Sequence, residues 1–266
     1  MNLSLPDDTR LQSLISSNFG AFKAIAESAA PCEIDISIDC DDDGFDVSGR
    51  IGSVTESFHV SSEHILYGVE SFLVPALQLA RPKMMFLHGA VVACGDQAFL
   101  IVGESGAGKS TLTWALASGD FDYLSDELAP VSFDEAGSPM VMDYPHAICL
   151  KSLPEEPFCV PETTLYTGAT WHIPVKPPES RSGFPSRIKK IFFINHRGHS
   201  GTEARVTELT ASDAAFKLYP NVLNALAHEN QGLSMVRRLS ESVACYNILS
   251  ADLEQTSKVV ARAIHE

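Results

Sequence analysis

The stretch FLIVGESGAGKSTLTWAL, from Phe99 to Leu116, changes character twice within eighteen residues. It opens as an apolar run, passes through small residues, and becomes a helix-like pattern at Lys109. The run Ala98 to Val102 reads as a buried strand and the segment from Lys109 as a helix. The turn between them, Gly103-Glu104-Ser105-Gly106-Ala107-Gly108, continues into Lys109 and Ser110 and matches G-x-x-x-x-G-K-[ST], the phosphate-binding P-loop. Small residues let consecutive backbone N–H groups converge on an anion, and the helix adds its positive end. Lys109 reaches the β- and γ-phosphates, the Ser110 hydroxyl ligates Mg²⁺, and Thr111 completes the first turn. Chance alone produces the pattern in roughly one chain in a hundred of this length. The strand before and the helix after therefore decide the reading: a nucleotide site.

Acidic residues follow at a telling distance. Asp126-Glu127 lies seventeen residues after Lys109, past one short helix and at the end of a short strand, Asp122 to Leu124. Adjacent parallel strands of an α/β sheet end on the same side, which brings both carboxylates to the loop. One carboxylate, with Ser110, holds Mg²⁺, and the other receives a proton from an attacking hydroxyl. The bland alternative is a solvated Asp-Glu turn. On the incoming side, Met85 to Ala93 is strand-like, with His88-Gly89 near its start and Gly95-Asp96 as the turn that follows. His88 is either structural or a group that orients a carboxylate near the γ-phosphate.

The composition narrows the partners. The 266 residues are 45% hydrophobic and 20% charged, ordinary for a chain with a sizeable core, and the net charge is −15. An acidic field repels phosphate backbones and anionic lipid, which argues against nucleic acid and membrane partners and requires a local positive site for any anionic ligand. No apolar run reaches the roughly 20 residues that cross a bilayer. The opening MNLSLPDDTR lacks the features of an export signal. Six scattered cysteines without a CxxC pair point to reduced thiols, and with these observations the expected compartment is the cytoplasm.

Two regions are expected, 1–80 and 81–266. The first contains a helical pattern over Leu11 to Ala29, an alternating strand over Glu33 to Asp39, strand partners at Phe45 to Val47 and Ser57 to Val60, and a helix from Ser62 to Leu79 stopped at Arg81-Pro82. Asp39-Cys40-Asp41-Asp42-Asp43-Gly44 imitates the start of a calcium loop, but its twelfth position is Arg50 rather than Glu, so an acidic hairpin turn is expected. In the second region Pro154 to Pro185 carries seven prolines and reads as surface loop. Ile188 to Ile194 reads as the last core strand, Ala211 to Ala227 as largely helical, and Leu253 to Ile264 as a terminal helix. The apolar helices near both ends are either core or the interface of a homo-oligomer. No internal repeat is present.

The segments LHGAVVACGDQAFLIVGESGAGKSTL and YLSDELAPV resemble the bacterial HPr kinase/phosphorylase group, and within it the shorter HPr-kinase-related serine kinases. The resemblance covers about Phe86 to Val131 and extends more weakly to Asn195. It implies an α/β fold, a P-loop kinase core of the HPr kinase type, with a small N-terminal α+β region and C-terminal helices. It implies transfer of the ATP γ-phosphoryl group to a serine hydroxyl of a peptide or protein, with Mg²⁺. On the matching positions His88 is the histidine before the loop, Asp126 the general base, and Glu127 stands where the family has a second aspartate. The Glu-x-Arg-Gly-x-Gly signature tied to the reverse reaction is absent, so neither phosphorylase activity nor HPr as substrate is implied. Transfer needs further cations, and Arg181, Arg187, Lys189 and Lys190 are the candidates, Arg187 first among them for catalysis, with Lys151 beyond the apolar run Ala147 to Leu150. His146 and His172 match no motif and read as core or surface residues. Two other readings remain at this point: a kinase for a small hydroxyl-bearing metabolite, and a regulatory ATP-binding module without catalysis.

Overall fold

The computed structural model describes residues 2–21, 34–41, 43–175, 185–195 and 203–266. Its architecture is mixed α/β. The first sheet takes β1 (Asn2–Ser4), β2 (Ile34–Asp41), β3 (Gly44–Ile51) and β4 (Val54–Val60) in that spatial order, with β1 parallel to β2 and the other pairs antiparallel. The alternation in β2 turns Ile34, Ile36 and Ile38 inward. Helices α1 (Thr9–Phe19) and α2 (Ile65–Ala80) contribute to the same core, with Leu11 and Ile15 from the first and Val69 and Phe72 from the second. Asp8 caps α1 by accepting the Leu11 N–H at 2.9 Å. The helix expected to run on to Ala29 ends at Phe19, and residues 22–33 lie outside the described ones. This core also takes in Phe86, Leu128 and Tyr144, so its packing extends past residue 80.

The second part holds β5 (Met85–Cys94), β6 (Gln97–Val102), α3 (Lys109–Ala117), β7 (Asp122–Ser125), β8 (Leu128–Phe133) and β9 (Pro139–Val141). Next come β10 (Ile148–Leu150), β11 (Leu165–Tyr166), β12 (Trp171–Ile173), β13 (Ser186–Ile194) and β14 (Arg205–Glu208), then α4 (Ala211–Leu218), α5 (Leu233–Ser242), β15 (Ala244–Leu249) and α6 (Leu253–His265). The large sheet runs β14-β15-β13-β6-β5-β8-β9, with β7 on β5 beyond the end of β8. Strand β13 is parallel to both β6 and β15, whereas β5 is antiparallel to β6. Because β9 also pairs with Ser186 and Arg187 of β13, the sheet curls back on itself. Apolar residues of α3 and α6 pack one face, through Leu112, Leu116, Val260 and Ile264, and those of α4 and α5 the other, through Leu218, Val236 and Leu239.

Several expectations shift. Strand β13 is not the last core strand: β15 lies beside it, with Cys245 and Ile248 buried. The helical reading of Ala211 to Ala227 holds only to Leu218, after which the chain makes short 3₁₀ turns, and α5 follows where no helix was expected. The proline-rich stretch is irregular apart from β11 and β12, which form a three-stranded sheet with β10, and residues 176–184 lie outside the described ones. Strands β6 and β7 run parallel but are not adjacent. Strand β5 lies between them, antiparallel to both.

Candidate active site

That intervening strand assembles the site. Gly89 of β5 pairs with Val102 at the end of β6, and Val91 pairs with Ser125 at the end of β7. The start of β5, carrying His88, therefore lies between the glycine loop and the acidic pair. The loop leaves β6 at Gly103, where a Cβ would stand 2.4 Å from the Ile194 carbonyl oxygen at the end of β13. It enters α3 through Gly108, whose φ of 94° lies in the left-handed region. Lys109 then folds back over its own loop. Its Nζ donates to the Gly103 oxygen at 2.8 Å and the Glu104 oxygen at 3.2 Å, and lies 3.0 Å from His88 Nε2. Burial lowers the Lys109 pKa, and the Lys151 charge acts the same way, while Glu127 and Asp126 oppose both.

His88 Nδ1 lies 3.3 Å from both the backbone oxygen and Oε2 of Glu127. Burial first, and then the Lys109 charge, depress its pKa, so the ring is neutral. The tautomer suited to these contacts carries its proton on Nδ1 and accepts from Lys109 at Nε2.

The two carboxylates are placed differently. Asp126 is fully buried: Oδ2 accepts the Cys149 N–H at 3.0 Å, and Oδ1 has no hydrogen-bond partner among the described residues. Burial and then the Glu127 charge push its pKa up to about 7, against the pull of the Cys149 N–H, the Ser110 hydroxyl and Lys109. Glu127 is partly exposed and lines a cavity of about 400 Å³ with His88, residues 105–112 and, on the far walls, Cys149, Lys151, Ile194 and Leu253. A buried carboxylate oxygen without a partner, beside a serine at the head of a helix, suits a hard divalent cation, so Asp126 and Ser110, with Glu127 near, fit Mg²⁺.

These placements sort the candidates. Of the two acids, Asp126 is fully buried and Glu127 lines the cavity, so a hydroxyl entering the cavity meets Glu127 first. Arg187 pairs with Gln97 at the far end of β6, five residues and roughly 17 Å of strand from Val102. It is not at the site. Lys190 donates to the Ala263 oxygen at 2.5 Å and lies 5.7 Å from the Tyr246 ring centre, against α6. Lys189, between them on the same strand, is not in the cavity wall either. Arg181 lies outside the described residues. Of the basic candidates among the described residues, Lys151 is the one that lines the cavity.

Behind Asp126 lies a polar group that the sequence did not announce. His146 and His172 are both buried, and burial brings each pKa down to about 4. His146 Nε2 lies 3.1 Å from Glu70 Oε1 of α2, out of line for a hydrogen bond, and burial pushes the Glu70 pKa up to about 8. His172 Nδ1 lies 3.0 Å from Asn18 Oδ1 of α1 and 3.3 Å from Cys149 Sγ. The first two helices thus reach the histidines next to the strand whose Cys149 amide orients Asp126, His172 being the residue paired with Cys149. No residue type encodes that amide, which is why Cys149 carried no signal.

No protein-family model and no curated protein matches this chain. Among solved structures, the Hpr(Ser) kinase/phosphatase from Coxiella burnetii is similar at a TM-score of 0.35 and 11% sequence identity, over 68% of this chain and 96% of that one. So slight a likeness leaves the chemistry to rest on the geometry alone. Among the described residues, no helix is long and apolar enough to cross a membrane.

Proposed function

We propose that the cavity binds Mg²⁺–ATP and that the chain transfers the γ-phosphoryl group to a hydroxyl, with serine of a peptide or protein as the acceptor that the sequence resemblance implies. The observation that carries this reading is the buried, half-partnered Asp126 carboxylate beside Ser110 at the mouth of a glycine loop. In this reading the loop amides and Lys109 hold the β- and γ-phosphates, and Lys109 exchanges its contacts with the Gly103 and Glu104 oxygens for phosphate oxygens. Asp126 and Ser110 hold Mg²⁺, which supplies charge neutralisation for the phosphates. Glu127, facing the cavity and held by His88, accepts the proton as the hydroxyl oxygen bonds to the γ-phosphorus and the bond to the β-phosphate oxygen breaks, releasing ADP. Ile194, Ala251, Leu253 and Thr256 also line the cavity, and the nucleoside is assigned to them.

The test is transfer of γ-labelled phosphate from ATP into proteins of a cell extract, compared for the wild type, Lys109→Ala and Glu127→Gln. Removing the lysine is expected to cost on the order of 10²- to 10³-fold in rate, as for one preorganised transition-state contact. Removing the base costs on the order of 10²- to 10⁴-fold while nucleotide binding survives. Transfer that persists in Lys109→Ala refutes the reading.

A further inference from the structure

A triphosphate carries several negative charges, and phosphoryl transfer develops its charge on the outermost group, beyond the reach of the loop amides alone. Among the described residues lining the cavity, the cationic side chains are Lys109 and Lys151. Lys109 enters from within the loop. Lys151 arrives from the residue after β10: its Nζ donates to Ser105 Oγ at 3.4 Å, in the loop ahead of the turn at Gly106.

Its placement is built rather than incidental. Strand β10 is tied to Asp126 through the Cys149 N–H at 3.0 Å. Ile148 and Leu150 of the strand turn into the core, and Cys149 between them and Lys151 just past the strand end both line the cavity. The strand that orients the buried carboxylate therefore also sets the position of the second cation. In a chain of net charge −15, Lys151 adds a second positive side chain to the cavity that Glu127 also lines.

We infer that Lys151 is the residue that contacts the γ-phosphoryl group, leaving Ser105 for it when the nucleotide binds, in the manner of a cationic finger supplied from the same chain. The inference rests on the nucleotide-site reading above and names the group that recognises the terminal phosphate. It also assigns Lys151, rather than the basic residues of β13, to the transition-state charge.

The test requires no acceptor. Binding of Mg²⁺–ADP and of a Mg²⁺-bound β,γ-imido analogue of ATP is measured by calorimetry for the wild type, Lys151→Met, Lys151→Arg and Lys109→Ala. Lys151 is exposed, so its replacement leaves the core untouched. Loss of a charged hydrogen bond to the terminal phosphate weakens analogue binding in Lys151→Met by about 10-fold or more. ADP binding stays within about twofold, and Lys151→Arg keeps most of the preference for the analogue. Equal losses for both nucleotides, or no loss in Lys151→Met, overturn the assignment while leaving the nucleotide site standing. A wild type that binds neither nucleotide, or binding indifferent to Lys109→Ala, overturns the site reading and this inference together.

Discussion

Asp126→Asn separates stability from function in a way the buried site makes quantitative. In the folded, metal-free chain Asp126 keeps its proton up to about pH 7, against 3.8 for an ordinary aspartate. Between those values the folded chain binds more protons than the unfolded one, so stability falls as pH rises through the window. At about 1.4 kcal/mol per unit, the loss is about 4 kcal/mol by pH 7. Asparagine does not ionise, and its oxygen still accepts the Cys149 N–H. Its amide does place an unpartnered NH₂ where Oδ1 lies buried, at a cost of about 1–3 kcal/mol. The difference gives a variant more stable than the wild type by about 1–3 kcal/mol at pH 8 and less stable by a similar amount near pH 4. Denaturant unfolding in EDTA across pH 4 to 8 measures it, and the titrations of His146 and His172 cancel between the two proteins. Over the same substitution Mg²⁺-dependent transfer falls, because the cation loses a ligand. A stability difference that does not change with pH refutes the account of the buried acid. Unchanged transfer at low Mg²⁺ refutes its role.

Three further outcomes follow from the same geometry. Gly103→Ala places a methyl 2.4 Å from the Ile194 carbonyl oxygen, a backbone atom that cannot rotate away, and should lower stability by about 1–3 kcal/mol in denaturant melts; wild-type stability would count against this packing. Glu70 keeps its proton to about pH 8 rather than 4.5, so the wild type loses stability as pH rises through that window, and Glu70→Gln should flatten the thermal-midpoint curve between pH 6.5 and 8. Below pH 6.5 the slope is opposed by His146 and His172, whose pKa values near 4 make stability fall as pH drops, and Asp126 titrates near pH 7, so the comparison is made in the Asp126→Asn background, where the upper window isolates the glutamate. Arg187→Ala should leave phosphoryl transfer within about twofold, since the residue pairs with Gln97 at the other end of the sheet; a loss of about tenfold, the size of one charged contact, would return it to the site.

What the sequence made legible was local. The apolar run, the glycines and Lys109 lie within eighteen consecutive residues, and strand, loop and helix follow as expected. The alternation of Ile34, Ile36 and Ile38 was equally plain, because one face of β2 is core and the other is not. Strand β15 was harder to read: its burial is uneven, with Cys245 and Ile248 inward and Leu249 exposed, so neither a clean alternation nor an apolar block marks it. Arg187 was misplaced for a different reason. Charge clustering along β13 is visible in sequence, but which end of a strand faces a loop is set by pairing partners, here Gln97 rather than Val102. The polar group of Glu70, His146, His172 and Asn18 joins positions from 18 to 172, and no spacing rule connects them.

The division of labour between Asp126 and Glu127 also follows from pairing. Strand β7 ends at Ser125, whose hydroxyl donates to the Leu128 oxygen and closes the step into β8. Within that bend the two acids are placed differently, Asp126 fully buried and Glu127 partly exposed. The register of β7 on β5 fixes which side is which: Asp126 goes inward, toward Ser110 and the Cys149 amide, and Glu127 outward, to His88 and the cavity. Neighbours in sequence are thereby prevented from sharing one task. On the proposed reading, the inward acid, withdrawn from solvent, is the one that holds the cation, and the outward acid, which lines the cavity, is the one that takes the proton. The longer arm of glutamate suits the outward position, where the carboxylate must span from the sheet edge to the substrate while His88 Nδ1 holds it at 3.3 Å. On the reading proposed above, a metal ligand and a proton acceptor thus stand side by side in the chain and are set apart by their burial and their partners.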